Sequence, residues 1–137
     1  MDATEARARF AGARVARLAT VTGAGDPHIV PIVFALAGDV IYTAVDAKPK
    51  STTALRRLVN IAAHPAVAVL ADHYADEWTQ LWWVRADGTA SVPDDVEAAE
   101  GLRLLTERYP QYVAQPPPGP VLAISVARWT GWQAAAD

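Results

Sequence analysis

The sequence predicts an α+β fold, a six-stranded antiparallel β-barrel with peripheral helices, formed by residues 1–137 as a single domain. Three observations carry this. Short β-branched, apolar runs are separated by dense clusters of turn formers. Only two internal helical patterns interrupt them, and no GxGxxG turn opens a helix as a nucleotide-binding parallel sheet requires. The resulting order, β-β-β-α-β-β-α-β, favours antiparallel meanders over regular β-α alternation.

Each element has a local reason. Asp2 to Gly12 reads as a short Ala-rich helix with Glu5, Arg7 and Arg9 on its wet face, a lid on the core. Val15 to Val21 is a strand, and the turn formers Thr22 to Pro27 fold it into a hairpin. The return strand, Ile29 to Leu36, contains Pro31, which has no N–H for a ladder and belongs at an edge or a bulge. Ala37, Gly38 and Asp39 turn the chain into Val40 to Val45, completing a three-strand meander. Beyond Asp46 to Lys50, the cluster Ser51, Thr52 and Thr53 caps a helix over Ala54 to Ala63. Leu55, Leu58, Val59 and Ala62 recur at three- and four-residue steps and predict its buried face, which leaves Arg56, Arg57 and Asn60 off that face.

His64 and Pro65 end this helix, and Ala66 to Ala71 follows as an apolar strand. Asp72 to Thr79 is a polar turn, and Gln80 to Val92 is a long strand or strand pair interrupted at Asp87 and Gly88. Asp94 and Asp95 set acidic residues at the positive end of a second helix running to Arg108. A stiff linker at Pro116 to Pro118 leads to a last strand, Val121 to Val126.

Composition narrows the chemistry. A chain 52% hydrophobic and 20% charged has the balance of a folded globular protein. Having no cysteine, it has no disulfide, thiolate nucleophile or Cys-ligated zinc. The net charge of -3 argues against a nucleic-acid partner. The longest apolar stretches, such as Ile29 to Ala37, fall short of the roughly 20 residues of a membrane span, and the first residues lack a secretory apolar run. The expected location is cytoplasmic.

The most informative run is Lys48, Pro49, Lys50, Ser51, Thr52 and Thr53, with Arg56 and Arg57 close behind; four of the 12 basic residues fall between positions 48 and 57. The free N–H groups and partial positive charge of a capped helix start suit an anion, and a phosphate fits that description. A solvated cap with exposed lysines is the plainer alternative, against which Pro49 stiffens the loop between its two lysines. The five tryptophans fall into two segments, and within a strand Trp82 and Trp83 must face opposite sides. One packs inward while the other is free to line a pocket or an interface. His28, His64 and His73 are scattered without metal-ligand spacing, and no serine sits in a GxSxG elbow, so neither a metal site nor a serine hydrolase is expected.

Taken in order, ARLATV at 16–21, GxPHxVP at 25–31, YTAVDxKPK at 42–50, LRRLxNIxxxP at 55–65, DHYxxxWxxLWWVRADGxA at 72–90 and RWxGW at 128–132 resemble one family. It is the pyridoxamine 5'-phosphate oxidase-like split-barrel superfamily, and within it the coenzyme F420-dependent oxidoreductases of the deazaflavin group. The resemblance implies a six-stranded split β-barrel that forms a homodimer, with the coenzyme ring in a groove between subunits and its phosphate on basic residues after the third strand. Lys48, Pro49, Lys50, Ser51 and Thr52 occupy those positions, followed by Arg56, Arg57 and Asn60 on the helix. By the same analogy His28, Val30, Pro31 and Val33 run beneath the ring, and Trp78 and Trp82 cover it.

The activity implied is hydride transfer from reduced F420 to a small organic substrate, and no catalytic residue is assigned. A flavin mononucleotide (FMN) oxidase or flavin reductase of the same fold is the first alternative, since a single phosphate wants the same lysines. A non-enzymatic coenzyme- or haem-binding barrel is the second, with His28, His64 or His73 as iron ligands.

Overall fold

The computed structural model describes residues 1–45 and 52–135, with the side chains of residues 52–55 outside the description. The elements are α1 (Ala3–Gly12), β1 (Ala16–Val21), β2 (Pro27–Ile32), β3 (Ala35–Ala37), β4 (Val40–Ala44), α2 (Thr52–Ala63), β5 (Ala66–His73), a 3-10 turn (Trp78–Gln80), β6 (Trp82–Ser91), α3 (Asp95–Arg108), α4 (Gln111–Ala114) and β7 (Val121–Gln133). The strands form one antiparallel sheet in the order β2-β1-β5-β6-β7-β4-β3. Its edge strands, β2 and β3, are consecutive in the chain and separated only by Val33 and Phe34. The sheet must therefore curl until its two edges approach at that bend, giving a half-barrel with helices outside it.

The described residues thus hold seven strands rather than six, because the return strand breaks at Val33 and Phe34. Side chains take over its backbone groups there. The Thr43 hydroxyl donates to the Val33 carbonyl at 2.8 Å, and the Phe34 N–H donates to the Tyr109 hydroxyl oxygen at 3.2 Å. The Phe34 carbonyl accepts from Arg108 at 2.8 Å and lies 2.9 Å from the Tyr109 hydroxyl. These partners satisfy the Val33 carbonyl and both backbone groups of Phe34 where the chain leaves the ladder. The break also overturns the predicted three-strand meander: the β1-β2 and β3-β4 hairpins lie at opposite ends of the sheet order.

α1 opens on a capping box, in which the Asp2 carboxylate accepts from the Glu5 N–H and the Glu5 carboxylate accepts from the Asp2 N–H. Its Ala6 and Phe10 are fully buried, and Phe10 packs on Phe34 with ring centroids 4.5 Å apart. Around them Leu18, Ile41, Val69, Val84, Leu122 and Ile124 fill the barrel. β4 reads as an unbroken apolar run because both its faces are covered: Ile41 points into the barrel while Tyr42 and Ala44 lie in the clusters beneath α3 and α4. β6 carries the expected irregularity between Asp87 and Gly88, where a side chain on Gly88 would collide with the Ser125 carbonyl. β7 runs well past Val126, and its tail pairs residue by residue with β6 as far as Gln133 opposite Trp82.

α2 is rotated from its predicted face. Val59 and Ala62 are exposed, while Asn60 and Ile61 are buried and Leu58 packs against the core. No helix among the described residues is long and apolar enough to cross a membrane.

Candidate functional site

Strand parity divides the residues expected beneath a ligand. Thr20 lies opposite His28 and Leu18 opposite Val30, and both β1 partners are buried, so His28 and Val30 belong to the inner face. Pro31 lies opposite Arg17, on the outer face, with Val33 two residues further on. The structure gathers Pro31, Val33 and Arg57 around one pocket of about 340 Å³, completed by Val15, Ile32, Ala44 and Tyr112. Val15 was open to discovery from the sequence, since it shares the outward parity of Arg17. Tyr112 carried no such signal, because it comes from a one-turn helix beyond Pro110.

Arg57 is the distinctive group in this lining. Its Nε is buried without a hydrogen-bond partner, and among the described residues no carboxylate pairs with the guanidinium. Burial holds its pKa below the ordinary arginine value, yet a guanidinium stays charged at any physiological pH. A desolvated cation in a concave apolar setting calls for an anion. Lys48, Pro49, Lys50 and Ser51 lie outside the described residues; Thr52 opens α2 with its side chain also outside them. Arg56 is exposed.

Asn60 departs from the expectation that it projects off the buried face. It is 2% exposed, and its Nδ2 donates to the Thr20 hydroxyl oxygen at 3.1 Å. The helix turns inward here because Leu58 and Ile61, not Val59 and Ala62, meet the barrel. The His28 imidazole, across from Thr20, has a buried Nδ1 without a partner.

The tryptophans sort as strand geometry demands. Trp82 packs against the core beneath α1, with the Arg9 guanidinium 5.2 Å from its ring centroid. Trp83 lies on the outer face, where it borders a groove with Leu70, Asp72, Tyr74 and Arg85. Trp78 stands 75% exposed on its 3-10 turn. Neither Trp78 nor Trp82 lines the Arg57 pocket. Among the described residues no three His, Asp or Glu side chains form a group able to hold a metal.

A family model described as pyridoxamine 5'-phosphate oxidase matches residues 3–133. No curated protein sequence matches the chain. Among solved structures, the fold is similar to that of an FAD-binding protein from Mesorhizobium loti, with a TM-score of 0.77 and 20% identity over 98% of this chain and 96% of that one. It is similar also to an FAD-binding protein from Mycobacterium smegmatis, at TM-score 0.67 and 20% identity over 98% of both chains. A heme-binding protein from Mycobacterium smegmatis gives TM-score 0.74 and 19% identity over 96% of this chain and 57% of that one. At these identities the likeness establishes the fold alone.

Proposed function

The chain belongs to the pyridoxamine 5'-phosphate oxidase family, and from that premise we propose that it binds a phosphorylated flavin or deazaflavin coenzyme and is an F420-dependent oxidoreductase acting on a small organic substrate. The observation that carries this reading is Arg57, a half-buried cation without a described partner, in the lining of an apolar pocket of about 340 Å³. The coenzyme's anionic group would offset the desolvation of that charge. Sequence order supports the placement: the chain leaves the pocket lining at Ala44, passes Lys48 and Lys50, and returns to it at Arg57. The FAD-binding neighbours support a flavin as the ligand, and FMN is the alternative coenzyme.

The coenzyme, when bound, supplies the hydride chemistry. The chain's own residues hold and orient. Arg57 fixes the anionic end, while Pro31, with no N–H, and Val33 offer an apolar wall that excludes water from a flat ring. Tyr112 is the one hydroxyl-bearing side chain among the described residues of the lining.

Titrating the protein separately with F420, FMN, FAD and haemin, followed by fluorescence or the Soret band, tests this. Saturable F420 binding followed by turnover is the expected result, and preference for FMN or FAD moves the protein to a flavin branch. Binding of haemin alone overturns the oxidoreductase reading.

A second copy of the chain is the proposed partner of the outer sheet face. Ile29 is 64% exposed there, with Val15, Val21 and Trp132 also open to solvent, an apolar area of the kind that marks interfaces. Light scattering on Ile29→Arg should show a monomer where the parent chain is a dimer; an unchanged mass removes this face from consideration.

A further inference from the structure

We propose that Asn60 is a positioning residue: its buried hydrogen bond to Thr20 sets the register of α2 on β1 and thereby holds Arg57 in the pocket lining. This rests on the reading of that pocket as a coenzyme site.

Thr20, Thr43 and Asn60 are the buried polar residues among those described. Thr43 is spent on the Val33 carbonyl, and the other two are bonded to each other across 40 residues of sequence. Among the described residues, the apolar contact of α2 with the barrel is made by Leu58 and Ile61, whose packing has little directional preference. A buried amide that loses its partner is costly, so the Asn60 bond penalises any sliding or turning of the helix that apolar contact alone would tolerate. Arg57 lies three residues before Asn60 and is its neighbour on the helix surface. A slip of one residue moves α2 by about 1.5 Å and turns it by roughly 100°, which swings the guanidinium out of the pocket.

The test separates register from stability. Thr20→Val and Asn60→Leu each leave one polar group buried alone, whereas the double variant replaces both with apolar groups of similar shape and should regain thermal stability. Each single variant is expected to bind FMN and F420 about tenfold or more weakly, because Arg57 is no longer held in place. Thr20→Ser, which keeps the hydroxyl, should bind like the parent chain. The double variant should recover its melting temperature but not its affinity, and α2 amides should exchange faster while those of β1 and β5 stay protected. Affinity that returns together with the melting temperature would overturn the proposal. If the parent chain binds none of the coenzymes, the function proposed above fails. Amide exchange then decides the register claim alone: faster α2 exchange in the double variant supports it, and unchanged exchange sinks it.

Discussion

Arg57 and Arg108 are both half-buried arginines whose pKa burial holds below the ordinary value, yet they differ in what surrounds them. The Arg108 guanidinium donates to the carbonyls of Phe34 and Ala13, and lies 4.7 Å from the Phe34 ring centroid and 5.4 Å from that of Tyr109. It thereby joins the end of α3, the turn after α1 and the break between β2 and β3. Arg57 has none of these partners among the described residues and faces a pocket instead. The contrast teaches that desolvation alone does not mark a site. A buried cation the protein has satisfied is part of its framework; one it has left unsatisfied is available to a ligand.

The largest expected effect is therefore on Arg108. Arg108→Ala removes two donors from part-buried carbonyls and a cation from two aromatic faces, and should destabilise the fold by about 3 kcal/mol in urea unfolding. A loss below about 1 kcal/mol, the level of an ordinary surface substitution, would remove Arg108 from the framework.

Arg57→Leu should do the reverse. Replacing an unsatisfied buried charge with an apolar side chain leaves stability unchanged or slightly raised, while FMN or F420 affinity should fall about tenfold or more. Unfolding and titration of this one variant decide the matter. A destabilisation as large as that of Arg108→Ala, with binding intact, would make the two arginines alike and erase the distinction.

How much of this was legible beforehand depended on whether the signal was local. The hairpin turns, the helix starts at Asp2 and Asp94, the interruption at Asp87 and Gly88 and the restriction of Pro31 to an edge or a bulge follow from residue chemistry within a few positions. The break at Val33 and Phe34 does not, because its backbone partners, Arg108 and Tyr109, arrive from about 75 residues away. The buried face of α2 departs from the leucine periodicity because Asn60 and Ile61, rather than Val59 and Ala62, turn inward. A buried amide is decided by its partner, and Thr20 looks like any β-branched strand residue in the sequence. For the site, parity alone separates Pro31 and Val33 from His28 and Val30, since a flat ring touches one face of a strand. The covering role of Trp78 and Trp82 comes from the resemblance alone; in the structure Trp78 is exposed, Trp82 packs against the core, and neither lines the Arg57 pocket.

The smallest effect sharpens the comparison on the α3 side, where the other polar groups near the framework are also satisfied internally. The Tyr42 hydroxyl donates to the Glu97 carboxylate at 2.8 Å. Burial, reinforced by that hydrogen bond and by the charge of Glu97, pushes its pKa from 10.0 up to about 12. Folding thus favours the neutral phenol. Its contribution is complete below the unfolded value near 10 and is lost as pH rises through about 12, where the unfolded chain binds fewer protons than the folded one. Tyr42→Phe should cost about 1 kcal/mol at neutral pH, the worth of one hydrogen bond. Its unfolding free energy should then decline less between pH 10 and 12 than the parent's. Parallel pH profiles for the two proteins would mean that Tyr42 ionises as freely in the folded chain as in the unfolded one. In that case the α3 side would not be internally satisfied at Tyr42, and the contrast with the Arg57 pocket would rest on Arg108 alone.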